Sequence, residues 1–357
     1  TAPVDALRAM ICLDPILLTH GPHGRHLELL DQAIELAETP GLNDSTEPLY
    51  GWVLLARAEA RRTRGFVEES TKDCHRVLEL ARSIGNRRLE GRGLWNLGAV
   101  TDRDGCLHEA LEFLKDALEI QRDVGDVVAE GRTHGLMGLI AFWMTRFDES
   151  RQSLKKAQRI LGNLGDRYEG IFLAVLAALN QEQGALNEAR MLYLQAIDAL
   201  REARVKRHEG MLYGYLGELE WEQNRLPEAR QRLNKSIDIA REVGDRRHVA
   251  LFTGALAAID ATEDHLNEAS RGFSTADAIL QDAGDEATRT LHRLHEGHLE
   301  LALGRKALEN GPIEEAAIRL QSAIGRIDAI ESDASEHGPI HRSDDVRFAL
   351  RMLKRAI

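Results

Sequence analysis

Metal-ligand chemistry is the first that the residue types invite. His292, His295 and His298 recur at every third position, with Glu296 between the last two, and histidines neighbouring on a helix can share a metal ion. The His-Glu-x-x-His arrangement of a zinc hydrolase is missing, because Leu299 stands where its second histidine would be. Steps of three residues turn each ring by about −60° around a helix, so the outer two diverge by about 120°. That divergence favours a surface or groove role over a shared ion. A second set, His20, His23 and His26, surrounds Gly21-Pro22 and Gly24 and reads as a polar loop entering a helix. Neither set implies a metal or a cofactor.

Other chemistries lack their signatures. There is no phosphate-cradling Gly-x-x-x-x-Gly-Lys-Ser/Thr loop, and Gly91-Arg92-Gly93 lacks the third glycine and preceding strand of a dinucleotide site. No nucleophile motif surrounds the sparse Ser, Cys and His residues. Carboxylate pairs are frequent, but at helical spacing they read as solvated surface charges. Catalysis by this chain is therefore not expected.

Composition narrows the classes further. The 357 residues carry 46 Lys and Arg against 58 Asp and Glu, a net charge of −12 that argues against general affinity for nucleic acid. The longest apolar run, Ile171 to Leu179, is nine residues, whereas a bilayer needs about 20; no membrane partner is expected. Cys12, Cys74 and Cys106 are too far apart for a disulfide framework and suit a reducing cytoplasm. Thr1 in place of Met is consistent with a piece of a longer protein.

The elements that must position any site announce themselves as a repeat. A turn-former, one residue, an apolar residue, one residue, Glu, then Ala or Ser recurs, as in Gly105-Cys106-Leu107-His108-Glu109-Ala110 and Asp264-His265-Leu266-Asn267-Glu268-Ala269. Its last residue falls at positions 70, 110, 150, 189, 229, 269 and 316, at intervals of 40, 40, 39, 40, 40 and 47. Apolar residues at helical spacing flank each copy, so each is a helix, a tight turn and a second helix. The Glu sits in the first turn of the second helix, where a carboxylate meets the positive end of the helix dipole. Pro227 and Pro312 fall in the same turn, where a first-turn proline is tolerated. Second helices end at Gly85-Asn86, Gly125-Asp126, Gly165-Asp166, Gly244-Asp245 and Gly284-Asp285. Gly suits the left-handed position there, and Asp or Asn caps the next helix.

Small residues at Gly98, Gly138, Ala177, Gly217, Ala257 and Gly304, at the repeat markers, and at Ala117, Ala157, Ala196, Ser236, Ala276 and Ala323 make residues 49 to 330 resemble the tetratricopeptide repeat. The resemblance implies an all-α, right-handed superhelical solenoid of antiparallel helix pairs with a concave groove. The period near 40 departs from the family's usual 34. It is similar to the arrays of kinesin light chains, peptide-responsive bacterial regulators and the C-terminal arms of bacterial signalling ATPases. The interval of 47 predicts an insertion of about seven residues near Asp285 to His298. Residues 1 to 48 read as a degenerate first repeat or cap, with helices over Val4–Leu18, interrupted at Pro15, and His26–Ala37, then a loop over Thr39–Pro48. Residues 331 to 357 read as a loop over Glu331–Arg342 and a helix from Ser343 that covers the last repeat's apolar side.

In that family's geometry the first helix of each pair lines the groove, which implies contacts from Trp52, Glu59, Arg62, Arg92, Trp95, Arg103, Phe142, Trp143, Met211, Glu218 and Trp221. Tryptophan and arginine are typical of binding hot spots; packing between repeats is the alternative for the tryptophans. Residues 57 to 103 hold ten Arg and one Lys against seven acids, so an acidic segment docking there, paired with Arg62, Arg92 and Arg103, is expected. A solvated arginine-rich face is the alternative. The function these features imply is a non-catalytic module that holds a protein or peptide segment, as the sensor arm of a larger bacterial signalling or transcription-regulating protein. A stand-alone scaffold or adaptor, or a receptor for a short signalling peptide or small molecule, is the rival.

Overall fold

The computed structural model describes residues 2–21, 23–38, 46–103, 105–162, 164–283, 286–337 and 344–357. Among the described residues every regular element is an α-helix. In chain order they are α1 (Ala2–His20), α2 (His23–Glu38), α3 (Glu47–Thr63), α4 (Val67–Ser83), α5 (Arg87–Arg103), α6 (Leu107–Asp123), α7 (Val127–Trp143), α8 (Phe147–Leu161) and α9 (Arg167–Glu182). They continue as α10 (Leu186–Glu202), α11 (Lys206–Glu222), α12 (Leu226–Glu242), α13 (Arg246–Thr262), α14 (Leu266–Ala283), α15 (Glu286–Asn310), α16 (Ile313–His337) and α17 (Asp344–Ala356). Two compact units divide the chain: Thr1–Leu176 with Glu202–Val205, and Ala177–Arg201 with Lys206–Ile357. The fold is an all-α array of antiparallel helix pairs.

A single local device generates the pairs. Gly65, Gly85, Gly105, Gly125, Gly165, Gly184 and Gly244 have φ between +63° and +86°, and Thr145, Arg204, Asn224 and Asp264 between +57° and +61°. These left-handed residues follow one another every 19 or 20 positions, so each repeat is two like steps of helix plus three-residue turn. In the first such turn Gly65 N–H donates to Arg62 C=O at 3.2 Å and Phe66 N–H to Arg61 C=O at 3.0 Å, closing the end of α3. At the other kind of turn Asn86 and Asp126 accept from the Leu89 and Ala129 N–H groups at 3.1 and 3.3 Å, capping α5 and α7.

Close approach of the two helices of a pair needs the small residues. An added methyl on Gly217 would sit 2.8 Å from Leu233, and one on Gly138 2.7 Å from Leu154. Where the marker is Ser it donates across the pair: Ser70 Oγ to Ala58 C=O and Ser150 Oγ to Gly138 C=O, each at 2.8 Å. In the first unit, Leu7, Leu30, Ile34, Tyr50, Val53 and Leu54 pack one core cluster and Leu94, Leu97, Val100, Leu114 and Ile140 another. In the second, Leu233, Phe252, Ile259, Phe273, Leu294 and Leu353 share one cluster.

Several sequence expectations change. Pro15 lies inside α1 without ending it, since Leu7 and Met10 anchor that helix by burial. Pro48 falls in the first turn of α3 rather than in a loop; positions 39–45 lie outside the described residues. The extra residues of the last repeat form no separate insertion, because α15 and α16 are each 25 residues long where α13 has 17. The same lengthening carries α16 to His337, across most of the expected loop, whose positions 338–342 lie outside the described residues, as do Gly284 and Asp285. Finally, α17 packs along α15, with Leu353 against Gly297.

The turn rule is testable at Thr145, a β-branched residue held at φ +58°. Thr145→Gly should raise stability by about 1 kcal/mol and Gly125→Val lower it by about 1–2 kcal/mol, read as opposite shifts of the urea midpoint at unchanged slope.

Candidate interaction surfaces

The first unit gathers a polar cluster on first helices. Glu59 of α3 accepts from the Arg167 guanidinium, and from Tyr168 Oη at 2.9 Å, both on α9. Arg62 lies 3.7 Å away from the same carboxylate oxygen. Arg132 of α7 pairs with Asp166 at 2.6 Å and covers the Tyr168 ring at 5.0 Å. Trp95 of α5 stands edge-on to Tyr168, centroids 5.5 Å apart, with the Arg62 guanidinium 5.5 Å from its own centroid. Burial alone would raise the Glu59 pKa, but the charges of Arg167, Arg62 and Arg132 and the Tyr168 hydroxyl hold it below the ordinary value. This is a closed carboxylate–arginine network rather than an acid–base pair. The nearby Cys74 thiol, pushed up to about 12 by burial, is no nucleophile at neutral pH.

These geometries revise the expected contact set. Arg62 is turned to Glu59, and Arg92 to Asp126 at 2.9 Å, while Arg92 also stacks over Trp52 at 5.3 Å. The arginines expected to meet an acidic partner thus already face carboxylates of this chain. The Arg103 side chain lies outside the described residues. Phe142 is wholly buried, Trp95 and Trp221 are 7% and 4% exposed, and Glu218 is 3% exposed. Neighbouring side chains cover these four, Tyr168 lying against Trp95 and Phe348 against Trp221. Trp52, Trp143 and Met211 stay half-buried. Arg132, Arg167 and Tyr168 were not singled out by sequence. The Arg-to-capping-Asp spacing that Arg92–Asp126 and Arg132–Asp166 share was the available signal.

In the second unit Trp221, near the end of α11, packs between α15 and α17. Its ring centroid lies 5.1 Å from His298, 6.2 Å from His295 and 5.9 Å from Phe348. His292, His295 and His298 are 5%, 1% and 2% exposed, against the surface or groove role expected of them. Among the described residues none of their ring nitrogens has a hydrogen-bond partner; His292 Nε2 approaches Asp277 Oδ1 at 2.9 Å but out of line for a hydrogen bond. Asp277, His292 and Glu296 bring one potential metal-ligand atom each within 4.8 Å of one another. Glu296 is meanwhile paired with Arg326 at 2.8 Å, so an ion-pair cluster accounts for the arrangement. Glu182 and Glu222, at the ends of α9 and α11, receive Arg351 at 2.6 Å and Arg355 at 3.0 Å from α17.

Burial pushes the His298 pKa down to about 4, assisted by the charge of Arg305. It pushes His295 well below its ordinary value, assisted by His298 and His292. Both rings are therefore neutral when folded, and the unfolded chain binds more protons below the ordinary value of 6.5. Stability is complete above that value and falls as pH drops toward 4. Between neutral pH and about pH 5, His298 alone should cost about 2 kcal/mol, and His298→Phe should flatten the decline in thermal midpoint over that range. In the first unit Glu59→Gln should cost roughly 2–3 kcal/mol by leaving Arg167 without its charge partner, measured by urea unfolding.

Comparison with known proteins bears on the fold. A family model described as MalT-like TPR region matches residues 125–284, and one described as tetratricopeptide repeat matches residues 50–123. No curated protein matches the chain. The crystal structure of a Rap protein complexed with Competence and Sporulation Factor aligns at TM-score 0.63 and 14% identity, over 99% of this chain and 98% of that one. The Rap conjugation gene regulator of the plasmid pLS20, in complex with the Phr* peptide, aligns at 0.55 and 11%, over 95% and 98%. A signal transduction ATPase with numerous domains and a tetratricopeptide repeat sensor, from Pyrococcus horikoshii, aligns at 0.59 and 13%, over 96% of this chain and 50% of that one. At such identities the likeness is one of fold. The two models between them match residues 50–123 and 125–284, where left-handed turns recur every 19 or 20 positions, and the chain belongs to the tetratricopeptide-repeat family, in a form whose repeats run to 40 residues.

Proposed function

We propose that the chain is a non-catalytic interaction module that holds a protein or peptide segment against its first helices, as the regulatory arm of a larger bacterial signalling protein. The observation that carries this reading is the character of the first-helix residues. Trp52, Trp143 and Met211 remain partly uncovered there, beside charged side chains whose partners are other side chains of the chain. Large aromatic side chains next to arginine favour protein contacts. The fold likeness to a Rap protein complexed with Competence and Sporulation Factor and to a tetratricopeptide sensor within a longer ATPase supports the same reading by analogy. A receptor for a short peptide is the second reading, favoured by the likeness to the regulator in complex with the Phr* peptide.

No helix among the described residues is long and apolar enough to cross a membrane. Cys12, Cys74 and Cys106 are free thiols, which supports a cytoplasmic location. An acidic partner at the second and third repeats would compete with Glu59 for Arg62 and with Asp126 for Arg92, so its binding should weaken steeply with salt.

The test is affinity capture from a lysate of the source organism with the native chain and with a Trp52→Ala, Trp143→Ala variant of unchanged circular dichroism. A protein retained by the native chain and reduced at least tenfold by the variant supports the reading. Equal retention by both places the contact elsewhere, and no retained protein together with a thermal shift from a metabolite pool favours a small-ligand receptor.

A further inference from the structure

The C-terminal helix α17 lies against the ends of two first helices, α9 and α11. Residues 182 and 222 are the last positions of two successive first helices, α9 and α11, so each carboxylate sits at the negative end of a helix dipole. The Glu222 side chain is 2% exposed and that of Glu182 16%. Arg351 reaches Glu182 at 2.6 Å and Arg355 reaches Glu222 at 3.0 Å, while Arg347 Nε stays 3.9 Å from Glu182. Phe348 meets Trp221 edge-on at 5.9 Å. Residues 347, 351 and 355 stand one turn apart on one side of α17 and rise about 12 Å together, near the 8–10 Å that separates packed helices. An arginine ladder on one helix thus reads glutamates on two helices that it crosses.

We infer that α17 is an internal occupant of a docking surface built from Glu182, Trp221 and Glu222, and that the external partner of that surface is a basic amphipathic helix. Such a helix would carry arginines at i, i+4 and i+8 and an aromatic residue beside the first. The chemistry is opposite in sign to that of the acidic partner expected for the first unit. It rests on the interaction-module reading above and adds both the partner's charge and a regulatory step, since partner and α17 compete for the same two carboxylates. The Arg355 side chain is 58% exposed whereas Glu222 is 2% exposed and also accepts from Gln181 Nε2 at 2.8 Å, so a competing helix must bring its own cation to Glu222 as it displaces Arg355.

Two measurements test this. In the native chain, hydrogen exchange should show the α17 amides exchanging at least tenfold faster than those of α15. A labelled peptide of residues 344–357 should bind an Arg351→Glu, Arg355→Glu variant of the full chain at least tenfold more tightly than it binds the native chain. Adding Glu182→Gln and Glu222→Gln to that variant should abolish the gain. Exchange of α17 at the rate of α15 would make it a fixed cap and overturn the inference, as would equal peptide affinity for native and variant chains. The capture experiment leaves α17 intact and varies only Trp52 and Trp143, so it decides the interaction-module reading separately.

Discussion

A pair of seventeen-residue helices has an apolar side that neither member can cover alone, and the packing of each pair on the next is what the rest of this structure depends on. That packing requires the helices of a pair to approach closely, which fixes small residues at Gly98, Gly138 and Gly217 opposite Leu114, Leu154 and Leu233. It also requires the chain to reverse within a few residues, which a left-handed residue achieves at every turn from α3 to α14. Glycine meets that demand without strain, and Thr145, Arg204, Asn224 and Asp264 are held in it by the packing of the helices on either side.

Once pairs stack at a constant step, side chains at equivalent positions fall into ladders across helices. In the first unit the ladders are ionic: Arg92 to Asp126 and Arg132 to Asp166 join a first helix to the cap of the next pair. A carboxylate that caps a helix thus also clamps the preceding repeat, tying local folding to packing between repeats. Glu59 goes further, because its partners come from α9, about a hundred residues later in sequence. Three arginines around one carboxylate leave the site electrostatically satisfied and rigid, not poised for proton transfer.

The second unit solves its last pair differently. Helices of 25 residues replace those of 17, and the longer α15 brings three histidines inward against Trp221 and Phe273. Of these, His295 and His298, neutral there, act as flat, moderately apolar filling. Along the same helix runs α17, whose apolar side joins the core while its arginines face the ends of α9 and α11. One element therefore closes the core and occupies part of the first-helix face.

Much of the fold was legible because it rests on short-range rules. Period, helix pairing, turn positions, capping residues and small packing positions all follow from spacing along the chain. Trp95, Phe142 and Trp221 show where that legibility stops. A helical repeat tells which side of a helix a residue occupies, but whether that side meets solvent depends on what else packs there. Tyr168 covers Trp95, and Phe348 with two histidines covers Trp221. Arg92 and Arg167 teach the same lesson in charge, since Asp126 and Glu59 meet them only when repeats stack. By itself the sequence determined the repeat, its turns and the helix faces, because those obey local periodicity. Only the tertiary structure decided which faces are covered, which charges are already paired and where the last helix lies, because those depend on contacts between residues 34 to 169 positions apart.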